Sequence, residues 1–247
     1  MSDGIVGRVV LITGGAGGIG SEAARDLAAK GARIALSDID TARMDAVVEE
    51  IAAAGGDARG YAVDVTDKEA MKALGVTVAH DFGRIDMLIN AAGVMLIRPL
   101  TEINTIEWET TIDLNVKGTL WGIAAVMPLF LAQDSGHIIT LGSVHGLKVF
   151  SPGGAVHSAS KFAIRAITEG LRAELASTPI RVTSIIPGAV DTGIQNKTTG
   201  TDSARMLEIY KRAIPANAVA RAIAFAIEQP DNVDVNEIVI RPTTQAI

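Results

Sequence analysis

Apolar and polar positions alternate in blocks along this chain. Residues 8–13 (RVVLIT) form a short β-branched run that ends in a glycine cluster, the pattern of a buried strand. Residues 21–30 read as a helix stopped by Gly31, residues 33–37 as a second strand, and residues 41–54 as an amphipathic helix ended by Gly55 and Gly56. A third strand is expected over 61–65, a helix over 67–82 and a fourth strand over 85–90. One long helix is expected over 106–132, a fifth strand over 137–141 and a second long helix over 154–177. A sixth strand over 180–186, a helix over 216–228 and a seventh strand over 235–240 complete the pattern. Strands alternating with helices of this length imply parallel βαβ units, and right-handed crossovers place helices on both faces of one sheet. The expectation is a doubly wound α/β (Rossmann-type) fold in one domain, residues 1–247. The stretch 188–204, rich in Thr, Gly and Asp, is the loosest region, and a loop of that length in a compact domain usually serves function.

Composition narrows the function classes. Of 247 residues, 48% are hydrophobic and 20% charged, which supports a large core and excludes disorder. The net charge of −6 arises from 22 basic and 28 acidic residues with no basic run, so no nucleic-acid partner is expected. The absence of cysteine excludes a disulfide framework, a thiol nucleophile and cysteine-ligated zinc or iron–sulfur sites. The most apolar stretch, 120–132, is interrupted by Gly122 and Pro128 and falls short of the roughly 20 residues a bilayer span takes. The first residues, Met1 to Gly4, carry no signal-peptide pattern, so a soluble cytoplasmic protein without a membrane partner is expected.

The glycine cluster Thr13-Gly14-Gly15-Ala16-Gly17-Gly18-Ile19-Gly20 lies between the first strand and the first helix. Glycines there permit a tight turn and let backbone N–H groups approach a pyrophosphate at a helix N-terminus. Two spacings are satisfied, Gly15/Gly17/Gly20 and Gly14/Gly18/Gly20. The alternative is a turn that merely needs positive φ. Asp38, at the end of the second strand, is placed to accept both hydroxyls of an adenosine ribose and to repel a 2′-phosphate, which favours NAD(H) over NADP(H). The alternative is a helix N-cap, for which Asp40 is the nearer residue.

Over essentially its whole length the chain resembles the short-chain dehydrogenase/reductase family. The matching pieces are TGGAGGIG at 13–20, Asp64-Val65, Asn90-Ala91-Ala92-Gly93, Asn115, Ser143, Lys161, and Pro187-Gly188 with Thr192. The resemblance implies sheet order 3-2-1-4-5-6-7 and hydride transfer between NAD(H) and a secondary alcohol or ketone. It implies that Gly14, Gly18, Ile19 and Gly20 cradle the cofactor, that Asp64 and Val65 contact adenine, and that Asn90, Ala91 and Gly93 flank the cofactor. Asn115 would hold a water in a proton relay, Ser143 would polarise the substrate carbonyl, and Lys161 would bind the nicotinamide ribose and depress the pKa of the catalytic acid. Pro187, Gly188, Val190 and Thr192 would hold the nicotinamide. The small-residue-rich helices over 106–132 and 154–177 would form a homodimer or homotetramer interface, the alternative being plain packing on the sheet.

One position departs from the family pattern. The family places tyrosine four residues before the lysine, and here that slot holds His157. His157 and Lys161 share a helix face. Histidine is an acid–base residue near neutrality, but its ring nitrogen falls roughly 2 Å short of a phenol oxygen, and a neighbouring cation lowers its pKa. Three readings of His157 stand: an acid–base residue, acting directly or through water; a natural loss of activity that leaves an inactive NAD(H)-binding protein; and an introduced substitution in an ordinary reductase. His145 reads as a loop histidine facing solvent or, alternatively, as a substrate contact or proton carrier; His80 and His137 read as surface residues. His145 and His157 lack a metal-binding spacing, so no metal is expected. Substrate choice would depend on Met95, Leu96, His145, Val149 and the 188–204 loop.

Overall fold

A computed structural model describes residues 4–150, 153–197 and 203–245. Met1 to Asp3 and the 198–202 part of the loop lie outside the described residues. Seven parallel strands form the main sheet: β1 (Val9–Thr13), β2 (Arg33–Asp38), β3 (Asp57–Ala62), β4 (Met87–Asn90), β5 (Gly136–Leu141), β6 (Ile180–Pro187) and, last in the chain, β9 (Glu237–Ile240). Their order is β3-β2-β1-β4-β5-β6-β9, the order expected for the seven strands read from sequence. The reversal of strand order falls between β1, paired with β2 in the register Thr13↔Ser37, and β4, paired with β1 in the register Thr13↔Asn90. In open α/β sheets a crevice forms there, at the carboxyl ends of the strands.

The residues of β1 explain the two-layered core. Val10 and Ile12 face one side, against Leu27 of α1 (Gly18–Ala29), Val47 of α2 (Thr41–Ala53) and Ile223 of α8 (Ala216–Ile227). Val9 and Leu11 face the other side, against Leu74 of α3 (Lys68–Phe82) and Phe130 of α5 (Gly118–Gln133). With helices on both faces, every residue of β1 is buried, and the strand reads as a continuous apolar run.

Several ends shift by one to three residues, and three regions differ more from the sequence reading. The third strand begins at Asp57, not Tyr61, and ends at Ala62. It is the sheet edge, where polar residues face water, so its place is set by pairing with β2 (Arg33↔Asp57) and not by apolar pattern. The long helix over 106–132 is two helices, α4 (Thr105–Ile112) and α5, joined through a π-helical turn at Asp113–Lys117. The stretch Thr105–Gln133 is long and apolar enough to cross a membrane; in this fold Val126 and Phe130 are fully buried against the sheet. The third difference lies in the loose region after β6. A two-residue strand β7 (Val190–Asp191) pairs in parallel with β8 (Ile214–Pro215), and between them stands a helix, α7 (Ser203–Tyr210). The second long helix is α6 (Ala155–Glu174).

The strand-to-helix turn at the crevice depends on two missing side chains. Gly14 has φ +69° and lies so close to the segment that follows β4 that a Cβ would stand 2.6 Å from the Ala92 nitrogen. A Cβ on Gly20 would run into the Gly14 carbonyl oxygen. Backbone cannot yield as a side chain can, so Gly20→Ala forces the turn open. The expected loss of stability is about 1–3 kcal/mol, read as a lower denaturant midpoint at unchanged m-value.

Candidate active site

Helix α1 begins at Gly18 with no side chain capping it and no acidic residue in its first turn, so no side chain competes for its first amides. In both glycine spacings an added Cβ would meet a close neighbour, and in Gly14/Gly18/Gly20 two of those neighbours are backbone. A Cβ on Gly18 would stand 2.6 Å from Thr192, at the far side of the crevice, whereas one on Gly15 would press on the core side chain of Leu36. Asp38 is not a helix cap. Asp40 caps α2, accepting from the Arg43 amide at 3.1 Å. The Asp38 carboxylate accepts from the Ala16 amide at 2.9 Å and from the Asp40 amide at 3.0 Å, which ties the second strand to the glycine loop. Each oxygen retains acceptor capacity toward the crevice. Asp64 is exposed and accepts from the Thr66 amide and hydroxyl, both at 2.8 Å. Val65 is buried in the core, so any adenine contact there falls to the backbone.

Ser143 stands two residues beyond β5. Its Oγ accepts from the His145 amide at 3.1 Å and caps a single 3-10 turn, Val144–Gly146. Lys161, on α6, donates to the Leu141 carbonyl at 2.9 Å; burial pushes its ammonium down to about 8. His157, one turn earlier, is buried. Burial first, and then the charges of Lys161 and His145, hold its pKa well below the usual histidine range. The expected direction holds, but burial outweighs the lysine. A hydrogen bond to the Val94 backbone acts the opposite way, and Nδ1 is buried without a partner.

His145 does not face solvent. Its ring meets that of His157 edge-on at 5.0 Å, its Nδ1 lies 3.1 Å from the Ser158 hydroxyl, and burial and Lys161 lower its pKa to about 4. His137 is also not a surface residue: it is 2% exposed, with Nε2 2.8 Å from the Thr183 hydroxyl on β6. His80 is exposed, as expected.

Asn115 lies in the π turn and is fully buried. Its Oδ1 accepts from the Val94 amide at 2.8 Å; its Nδ2 donates to the Val94 carbonyl and to the Ser160 hydroxyl, both at 3.0 Å. Ser160 in turn donates to the His157 carbonyl at 2.7 Å. The Nδ2 donors are therefore saturated by protein groups. Asn90, at the end of β4, is 4% exposed, with both amide atoms buried and unpartnered in the protein, beside Gly122 of α5.

These residues enclose two adjoining chambers. The smaller, about 100 Å³, lies over the carboxyl ends of the strands; Ile19, Ala91, Gly93, Lys161, Pro187 and Thr192 form its wall, and Val190 and His157 also line it. The larger, about 380 Å³ and mostly apolar, opens beyond it under α7. Met95, Ser143, Gly188 and Tyr210 line both. Met95 and His145 stand where the sequence reading put substrate contacts, whereas Leu96 and Val149 line neither chamber. Sequence reasoning missed Met206 and Tyr210 of α7. Their signal was the amphipathic run SARMLEIY, which follows the loose stretch directly.

A family model described as short chain dehydrogenase matches residues 8–203. An oxidoreductase of Staphylococcus saprophyticus is 43% identical over 244 residues, covering 97% of this chain and 98% of that protein. An oxidoreductase of Listeria innocua is 40% identical over 245 residues, covering 98% of each. Among solved structures, serine dehydrogenase complexed with NADP+ superposes with a TM-score of 0.89 at 28% identity, covering 97% of this chain and 96% of the other. NAD+-bound xylitol dehydrogenase superposes with a TM-score of 0.86 at 28% identity, covering 95% and 98%. With its sheet order, its glycine turn and this match over 8–203, the chain belongs to the short chain dehydrogenase family of oxidoreductases.

Proposed function

We propose that the protein is an NAD(H)-dependent oxidoreductase that interconverts a secondary alcohol and a ketone, in a soluble, cytoplasmic setting. The observation that carries this reading is the junction of the two chambers at Ser143, with Lys161 in the wall of the smaller one. A nicotinamide dinucleotide, when bound, supplies or accepts the hydride. The glycine turn and the uncapped start of α1 fit its pyrophosphate. Asp38, with acceptor capacity left on both oxygens, fits a ribose with free hydroxyls and opposes a 2′-phosphate. Similar structures carry either NADP+ or NAD+, so the choice here rests on Asp38.

Each side chain then has a task. Ser143 polarises the substrate oxygen. Lys161, fixed by the Leu141 carbonyl, holds the nicotinamide ribose. Asn115 is a positioning residue that fastens Val94 and, through Ser160, the backbone of His157. His157 is a poor proton carrier, because its imidazole is neutral at pH 7 and sits too deep to match a phenol's reach. The burial and unpartnered Nδ1 of His157 also support a second reading, a dinucleotide-binding protein without turnover.

Dissociation constants by fluorescence titration should favour NADH over NADPH, and Asp38→Ala should narrow that gap; equal binding by the unmodified protein would refute the assignment. The catalytic slot is tested by two variants assayed in both directions. His157→Tyr should raise kcat about a hundredfold, the scale of a catalytic group misplaced by about 1 Å, and His157→Ala should fall a few-fold below the parent. No turnover in either the parent or His157→Tyr, with NADH bound, would establish the inactive reading. Lys161 loses its charge as pH rises through about 8, so kcat should decline above that pH. Lys161→Arg, charged throughout, should remove the inflection. Finally, α4, α5 and α6 expose Ile106, Leu120, Leu131 and Phe162, the apolar surface of a homodimer or homotetramer. Light scattering at micromolar concentration should give two or four chains, and a 25.7 kDa monomer would contradict it.

A further inference from the structure

The neck between the two chambers has two hydroxyl groups, those of Ser143 and Tyr210. Tyr210 is the last residue of α7, and its ring is seated in a small apolar cluster with Met95, Ile97, Ile194 and Met206. Its Oη donates to the Met95 thioether at 3.3 Å. A thioether is a weak acceptor, so a ligand carbonyl that reaches the neck takes that hydrogen in a stronger bond. The protein has only one other tyrosine, Tyr61, which donates to the Asp81 carboxylate at 2.8 Å on the edge strand β3.

We propose that Tyr210 is a catalytic residue of this oxidoreductase: its Oη, in the neck that Ser143 also lines, donates a hydrogen bond to the substrate oxygen and delivers the proton that the buried His157 ring supplies poorly. The inference rests on the oxidoreductase reading above. In ketone reduction the carbonyl carbon accepts the hydride of the reduced nicotinamide, and the C=O π pair moves onto oxygen. That oxygen takes the Tyr210 proton, an O–H bond forms, and the Tyr210 O–H bond breaks to leave a phenolate. A proton from bulk solvent, relayed by water through the open chamber, reprotonates the phenolate, so the reduction consumes one solvent proton and leaves the dinucleotide oxidised. Alcohol oxidation reverses each step. Burial holds the Tyr210 phenol up at about 12, so it is a protonated donor across the neutral range, and an alkoxide is basic enough to take its proton. The residue came from outside the family's motif: a lid helix carries the phenol that the α6 position lacks.

The test uses the full chain with NADH and acetophenone, an aryl ketone suited to the apolar larger chamber. Tyr210→Phe keeps the ring in its cluster and removes only the hydroxyl. Its kcat should fall about a hundredfold, the cost of losing one donor to a developing oxyanion, with NADH affinity unchanged. In the His157→Tyr background, where a second phenol is present, the same substitution should cost less than about threefold. A structural role in seating α7 would give the same loss in both backgrounds, and that result overturns the proposal. An activity-free readout accompanies it. With tyrosine labelled at Cζ the protein gives two carbon signals, and acetophenone added to the NAD+ complex should move that of Tyr210 and leave that of Tyr61. An unmoved Tyr210 signal, or a Tyr210→Phe variant with parental kcat on acetophenone, overturns the proposal and leaves the oxidoreductase reading standing. A protein that binds NADH yet reduces no aryl, alkyl or cyclic ketone overturns both.

Discussion

Four hydrogen bonds run from Val94 to His157 through the buried amide of Asn115 and the hydroxyl of Ser160. They join the segment that leaves β4 to the π turn and to α6, three pieces that the chain brings together from widely separated positions. Each buried polar group left without its partner costs about 1–3 kcal/mol, so the four bonds stand or fall as a unit. The π turn belongs to this arrangement: widening one helical turn carries Asn115 inward, and such turns recur at functional positions. The walls of the smaller chamber, Gly93 and Met95 on one side and His157 and Lys161 on the other, keep their separation because this chain holds them.

The inner end of the site is mostly apolar, with Lys161 in its wall. His145 and His157 pack ring edge to ring face, both held neutral, and Lys161 keeps its proton only up to about 8. Two rings that can carry charge elsewhere are thus neutral at neutral pH, beside one lysine that is still charged. Fixed dipoles acquire more weight in such surroundings, because no water reorients to screen them. That is the setting in which a hydroxyl such as that of Ser143 stabilises charge developing on an oxygen.

How much was legible in the sequence follows from where each signal is encoded. β1, β5 and β6 are covered on both faces, so apolar runs mark them directly. The glycine turn is legible because its requirement is local, a backbone that tolerates no Cβ. β3 was displaced because an edge strand is defined by its partner and not by its own apolarity. The π turn leaves almost no trace in a periodicity, since one extra residue in a single turn shifts the pattern little, and α5, which follows it, is apolar nearly all round. His137 was misjudged for a similar reason: its burial depends on Thr183, 46 residues away on β6. Tyr210 stayed hidden because no local rule says that a helix after a loose stretch folds back over the strand ends. The family motif located Ser143 and Lys161, while the orientation of His145 toward His157 and not toward water needed the fold.

The β7–β8 clasp has a consequence for how this protein can change. Val190 pairs with Ile214 and Asp191 with Pro215, so the ends of the α7 insert are pinned side by side at the rim of the sheet. Loop-closure entropy grows only slowly with length, about 0.6 kcal/mol per doubling, and here the closure is made by the clasp itself. The insert can therefore lengthen, shorten or exchange residues at small cost to folding, while the cofactor half, anchored by the glycine turn and Asp38, stays as it is. Evolution can retune the choice of substrate in a cassette of some twenty residues without renegotiating the machinery beneath it.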